Sequence, residues 1–351
     1  MDWTPFIQPH LLDFKPYQSA RQEFKGQAEV YLDANENNLA GRWARYPDPL
    51  QDQLKKRIAE LKGVQAEQIF LGNGSDEIID LLLRLFTRPG RDSIVTLPPT
   101  YGMYKVSAQI QRVGIKEIPL NTDLQPNLGL LLAEIKETDK ILFLCTPNNP
   151  TGNLLEEETV EILLQAFPGI IVIDEAYIDF SSRPSWIEKL AQYPRLVVIQ
   201  TLSKAWGLAG LRIGMAFADP DLVDWLGRIK PPYNISSINQ ELALEQLKRP
   251  EEKNQWVEQI KTSRRALRQG LMTIREVQEI YPSEANFLLV RLDRPVELYQ
   301  FLVEKGIIVR NRSQLIRCQG GLRLTIGTNK ENNRLLEAIY SFYQTSNVPQ
   351  R

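Results

Sequence analysis

The chain has 351 residues, with 42 basic and 43 acidic side chains and a single histidine. That balance gives no electrostatic case for a nucleic-acid or other polyanionic partner, and two cysteines, Cys145 and Cys318, are too few for a disulfide framework. No apolar run approaches the length of a membrane span. The start M-D-W-T-P-F-I-Q-P-H lacks the basic and apolar regions of a secretory signal, so a reduced cytoplasmic home is the expectation.

The lone histidine, His10, excludes a His-rich zinc site, and any Ser-His-Asp or Cys-His chemistry would have to use it. Read as a surface or packing residue, it leaves proton transfer to Lys, Tyr or carboxylates. From about residue 69 to 218, strand-like and helix-like runs alternate. The strand-like runs are I-F-L (69–71), S-I-V-T-L (93–97), I-L-F-L-C (141–145), I-I-V-I-D (170–174) and L-V-V-I-Q (196–200), with I-G-M-A-F-A (213–218) as a further candidate. They are almost continuously apolar, as strands buried on both faces are. Helical patterns cover 76–86 and 156–167. The alternation predicts an α/β domain with a mostly parallel sheet, in which ligands bind beyond the carboxyl ends of the strands.

After K-P-P-Y-N-I-S-S (230–237) the texture changes. Residues 238–279 read as long amphipathic helix, with K-T-S-R-R-A-L-R (261–268) as a solvated basic face. Then follow N-F-L-L-V-R-L (286–292), a helix over 296–305, the strand-like G-I-I-V-R and L-R-L-T-I-G, and a last helix over about 331–344. This is a second, smaller α+β domain. There is no internal repeat.

The chemistry concentrates at the strand ends. After 69–71 comes G-N-G-S-D-E and a helix. Ser75 and Asp76 there either cap the helix or mark a start whose N–H groups and dipole suit a phosphate. After 141–145 comes T-P-N-N-P-T-G, an ordinary turn composition in which Asn149 is also placed to reach a ligand. Asp174 ends a buried strand in D-E-A-Y. A desolvated carboxylate needs a partner: a metal, an arginine or a protonated ring nitrogen. Glu175 is the only carboxylate beside it in sequence to share a magnesium ion. Strand 196–200 leads into T-L-S-K-A-W-G-L-A-G-L-R-I-G. Lys204 is either an exposed loop lysine or one whose desolvation makes it a nucleophile. Arg212, between Leu211 and Ile213, is expected to face an anion. A lysine for covalent attachment, a carboxylate for a ring nitrogen, and Ser203, Arg212 and a helix start for a phosphate together meet the demands of pyridoxal 5′-phosphate.

With these motifs in this order, the chain resembles the fold-type-I, pyridoxal-phosphate-dependent aminotransferases of class I/II. Within them it is similar to the histidinol-phosphate aminotransferase family. The resemblance runs from K-P-Y-Q-S-A-R through L-D-A-N-E-N, R-Y-P-D-P, G-N-G-S-D-E, P-P-T-Y-G-M-Y, T-P-N-N-P-T-G, D-E-A-Y and T-L-S-K to L-R-L-T-I-G-T. It implies a large domain with a seven-stranded-type sheet (45–240), a smaller C-terminal domain (241–351), and an N-terminal arm (1–44) that contributes to the substrate site and the small domain. It implies Lys204 as the cofactor-binding and proton-moving lysine, and Asp174 at the ring nitrogen. Tyr177 and Asn149 serve the ring oxygen, and Tyr101 stacks on the ring. Ser203, Arg212 and the N–H groups of Ser75 and Asp76 serve the phosphate, joined by Tyr46 from the other subunit of a homodimer. Tyr17, Asn35, Arg310 and Arg323 are implied for the substrate. The implied reaction moves an amino group from glutamate to imidazole-acetol phosphate. An aromatic-amino-acid aminotransferase and a phosphothreonine decarboxylase are alternatives on the same scaffold. A non-enzymatic regulator is disfavoured, since no helix-turn-helix precedes the matched motifs. Two departures are visible, C-T-P-N-N-P where S-P-N-N-P is more usual and a shortened segment between Asn149 and Asp174.

Overall fold

The computed structural model describes residues 1–17 and 29–346. Seven strands form the larger sheet: β1 (Ile69–Asn73), β2 (Ser93–Thr96), β3 (Gly114–Glu117), β4 (Asp139–Cys145), β5 (Ile170–Asp174), β6 (Leu196–Thr201) and β7 (Ile213–Phe217). Their spatial order is β1-β7-β6-β5-β4-β2-β3. The inner ladders are parallel, and β7 alone runs against both of its neighbours, β1 and β6.

Strand alternation explains why these runs are apolar throughout. On β4, Leu142 and Leu144 enter the core on one face, while Ile141 and Phe143 enter the core on the other. On β5, Ile171 and Ile173 divide from Ile170 and Val172 in the same way. Each such side chain contributes roughly 1.5–3 kcal/mol by leaving water, so neither face tolerates a polar residue until the strand ends. The helix Ser75–Phe86 covers one face through Ile78, Leu82 and Leu85. The helix Asp52–Lys62 covers the other through Leu54 and Ile58. Trp3 and Ile7 of the N-terminal segment join the first of these layers, and the Trp3 indole N–H donates to Asp219 at 2.9 Å.

The smaller sheet has the order β10-β11-β9-β8 and is antiparallel throughout. Its strands are β8 (Val277–Ile280), β9 (Phe287–Leu292), β10 (Arg310–Asn311) and β11 (Gly321–Thr325). The helices Pro250–Met272, Pro295–Glu304 and Asn329–Ser346 pack on it around Leu288, Val290, Leu322 and Ile339.

Two expectations change, and one strand was not anticipated. The stretch 238–279 is not one helix but two, Ser237–Leu247 and Pro250–Met272, followed by β8. Pro250 has no N–H to continue the first helix and instead opens the second. Only the end of G-I-I-V-R pairs as a strand: Gly306 adopts φ 71°, and Ile307 N–H bonds back to Leu302 O, closing the preceding helix. The edge strand β3 carries no continuous apolar run because its residues are exposed or half-buried.

Candidate active site

Register gathers the site. Cys145 stands opposite Asp174, and Asp174 opposite Ile199, so β4, β5 and β6 end at one edge. Because β7 runs the other way, Thr201 pairs with Gly214 and Asn73 with Ile213. Arg212, the residue before β7, is thereby returned to the edge at which β1 and β6 end. An open cavity of about 150 Å³ lies there.

At one end of the cavity the helix Ser75–Phe86 begins at Gly74, φ 79°, with no side-chain cap. The capping reading of Ser75 and Asp76 is therefore not what the structure shows. The first N–H groups and the positive dipole end are open. A Cβ on Gly74 would lie 2.6 Å from Arg212 Nη2, so glycine is what lets the guanidinium lie over the helix start. Arg212 leaves the 3₁₀ turn Ala209–Leu211 in a left-handed conformation, φ 50° and ψ 55°. Its side chain is half exposed despite its apolar neighbours, and Nη2 is 3.6 Å from Asp76 Oδ2. An exposed pair at that distance contributes little to stability, so Arg212 is available to an anion. Thr201 Oγ1 donates to Ser203 Oγ at 2.9 Å and accepts from Ser203 N–H at 3.1 Å, turning Ser203 toward the same end.

At the other end Asp174 is 3% exposed. Its Oδ2 accepts from Tyr104 Oη at 2.6 Å, and its Oδ1 accepts from Ala176 N–H at 3.0 Å. Burial pushes its carboxyl above the usual range, against those two hydrogen bonds. Among the described residues it has no ion-pair partner. Alternation turns Glu175 away, onto Trp186 N–H at 2.8 Å and Gln200 Nε2 at 2.9 Å, so the two carboxylates do not converge on one ion.

Lys204 lines the cavity between the two ends, its Nζ 5.6 Å from the centre of the Tyr177 ring. Burial lowers its pKa, helped by the positive charges of Arg323 and Arg212 and opposed by Asp174 and Asp76. Burial raises the Tyr177 and Tyr101 phenols, which stay protonated as donors. Tyr101 Oη donates to Asp76 Oδ1 at 3.0 Å. Asn149 Oδ1 accepts from the Arg323 guanidinium, which leaves its amide hydrogens for another partner.

The cavity thus brings together the cofactor candidates at 75, 76, 101, 149, 174, 177, 203, 204 and 212. Tyr46 is not among its lining residues and stacks instead on Tyr233, ring centres 4.5 Å apart. Arg323 reaches the site through Asn149, and Arg310 pairs with it across β10 and β11. Tyr17 is 68% exposed, and Asn35, φ 53°, lies outside the cavity lining. The rest of K-P-Y-Q-S-A-R, from 18 on, lies outside the described residues. Sequence reading passed over Tyr104, which is fully buried, stacked on Phe143 at 4.4 Å and hydrogen-bonded to Asp174. Its only signal was position: three residues after Tyr101, one helical turn on.

The family model for aminotransferase class I and II matches residues 14–339. A histidinol-phosphate aminotransferase of Parabacteroides distasonis is 48% identical over 338 residues, covering 96% of this chain and 98% of that protein. One of Cytophaga hutchinsonii is 48% identical over 340 residues, with the same coverage of 96% and 98%. The crystal structure of the histidinol-phosphate aminotransferase from Clostridium acetobutylicum superposes with a TM-score of 0.79 at 24% identity, over 86% of this chain and 92% of that one. The chain belongs to the class I and II aminotransferases.

Proposed function

We propose that the chain transfers the amino group of L-glutamate to imidazole-acetol phosphate, giving L-histidinol phosphate and 2-oxoglutarate by a ping-pong exchange on pyridoxal 5′-phosphate. One observation carries the reading. A single cavity joins a lysine of lowered pKa, a buried carboxylate without an ion-pair partner among the described residues, and an uncapped helix start beside an arginine. That donor set fits the cofactor. Asp174 lacks the cation that a protonated ring nitrogen provides, and Gly74 keeps the space above the helix start clear for Arg212 and an anion.

When bound, the cofactor supplies an electron-withdrawing ring that takes up the charge left as the substrate α-carbon loses its proton. Lys204 would hold the cofactor at its aldehyde and, as a free amine, would carry the proton taken from the substrate α-carbon. Its lowered pKa keeps a larger share of the amine neutral for both tasks. Asp174, positioned by Tyr104 and Ala176 N–H, would supply the counter-charge to the ring nitrogen. Tyr177 and Asn149 would donate to the ring oxygen, and Tyr101 would flank the ring. Ser203, Arg212 and the N–H groups of Ser75 and Asp76 would hold the phosphate. Arg323 and Arg310 grip the substrate anion, a carboxylate in one half-reaction and a phosphate in the other, because both present paired oxygens. Tyr17 and Asn35 complete the substrate side.

The choice of acceptor is supported by the curated relatives at 48% identity over nearly the whole chain. We take the working form to be a cytoplasmic homodimer with shared sites, in which Tyr46 of one protomer serves the cofactor phosphate of the other. The exposed Leu39, Trp43, Tyr46 and Leu50 support such a contact. None of the described helices is long and apolar enough to cross a membrane. The test is 2-oxoglutarate release from glutamate, which should depend on imidazole-acetol phosphate. No turnover with that acceptor, together with CO₂ release from phosphothreonine, would overturn the proposal.

A further inference from the structure

The small sheet presents a third arginine that the reading above leaves unused. β10 pairs Arg310 with Arg323 and Asn311 with Leu322, and the ladder continues as Arg312 N–H donates to Gly321 O at 2.9 Å. Residues i and i+2 share a face, so Arg310, Arg312 and, across the ladder, Arg323 belong to one face of the sheet. Phe287 and Leu289 of β9 share it: Leu289 is paired with Arg323, whose guanidinium lies 5.2 Å from the centre of the Phe287 ring. Phe287 in turn meets Tyr177, which lines the cavity, edge to face at 5.2 Å. Arg323 also donates to Asn149, another lining residue. The arginine-bearing face is therefore the one turned to the cofactor cavity.

None of the three arginines has a carboxylate within ion-pair distance among the described residues. Arg312 and Arg323 each bury an Nε–H that has no acceptor. Burial and the neighbouring charges of Arg323 and Arg310 disfavour the Arg312 cation, and its field reaches the Tyr177 phenol. The backbone of Arg312 is nevertheless held in place: Asn311 Oδ1 accepts from Ser313 N–H at 2.9 Å and from Ser313 Oγ at 2.6 Å, and Leu315 N–H donates to Arg312 O at 2.9 Å. Three adjacent cations, two of them with a buried Nε–H lacking an acceptor, weaken the fold. An anion with several oxygens would satisfy them together.

We propose that Arg312 is the third arm of the substrate-anion clamp, with Arg310 and Arg323, and that it sets the preference for a dianionic phosphate monoester over a monocarboxylate. A phosphate monoester carries about two negative charges at neutral pH and three acceptor oxygens, and matches three guanidinium groups where a carboxylate matches one or two. This inference rests on the site being that of an aminotransferase with a phosphorylated substrate.

The experiment compares the wild-type holoenzyme with Arg312→Gln and Arg312→Lys. For Arg312→Gln the KM for imidazole-acetol phosphate should rise at least about tenfold and by more than the KM for glutamate, with kcat changing far less. Arg312→Lys, which keeps the charge without the fork, should fall between. Without substrate, Arg312→Gln should melt no lower than wild type, since it relieves repulsion, and inorganic phosphate should protect it less against heat. An unchanged KM for the phosphorylated acceptor, an equal rise for glutamate, or a lower melting temperature with undiminished phosphate protection would overturn the clamp. Absence of wild-type turnover with the phosphorylated acceptor would instead overturn the reading on which the clamp rests. Selective phosphate protection of wild type over Arg312→Gln would still uphold the anion site.

Discussion

At the residue scale, Lys204 and Asp174 shift in opposite directions for the same physical reason. Burial disfavours whichever form is charged, lowering the lysine and raising the carboxyl. Lys204→Ala should abolish the visible absorption band of the lysine-bound cofactor and lower turnover by more than about 10³-fold. Full activity in that variant would contradict the assignment. For Asp174 the sign follows from linkage. A carboxyl raised above its ordinary value of 3.8 favours the fold at low pH and loses that advantage as pH rises through the folded pKa. In the cofactor-free protein, Asp174→Asn should therefore match wild type near pH 4 and exceed it in melting temperature by pH 7. A difference of the same size at both pH values would count against a buried Asp174 without an ion-pair partner. The same substitution should weaken cofactor binding, because it removes the counter-charge to the ring nitrogen. Lys204, Asp174 and Arg212 were legible in sequence because each breaks an apolar run at a strand end. Tyr104 and Arg312 were not. Tyr104 lies buried in the short helix Met103–Ile110, which carries no strand-end signal, and Arg312 acquires its place only through pairing with β11.

At the scale of elements, the antiparallel β7 is what completes the phosphate end, since a parallel strand would deliver its end rather than its start to the site. The close approach it requires is visible at two glycines. A Cβ on Gly214 would meet Ser75 N at 2.4 Å, and one on Gly74 would meet the Arg212 guanidinium. Gly74→Ala should destabilise the protein by about 1–3 kcal/mol, because φ 79° is unfavourable for alanine. It should also weaken cofactor binding about tenfold by displacing Arg212. Thermal melts and a cofactor titration would check both, and unchanged cofactor affinity would show that Arg212 is not set by Gly74. The buried strands were legible because apolar residues on both faces leave a continuous signature. The boundaries in the second half were less so. Periodicity alone does not reveal that Pro250 starts a new helix, nor that Ile307 closes the previous one rather than extending a strand.

At the scale of the molecule, the cofactor cavity belongs to the strand ends of the large sheet, while the substrate arginines come from the small sheet. Asn149 and Tyr177 are where the two meet, through Arg323 and Phe287. On the proposed reading, cofactor chemistry and substrate choice fall to different layers, so the cofactor could be read from strand ends alone while the acceptor rested on the resemblance along the whole chain. The roles proposed for Tyr46, Tyr17 and Asn35 call for a second protomer or bound substrate, and their own surroundings in one chain do not display them. The central claim is that this site passes an amino group to a phosphorylated ketone. The most direct measurement mixes the pyridoxamine form with a panel of acceptors and follows return of the visible band in a single turnover. Return should be rapid with imidazole-acetol phosphate and much slower with phenylpyruvate. Equal or faster return with phenylpyruvate would contradict it.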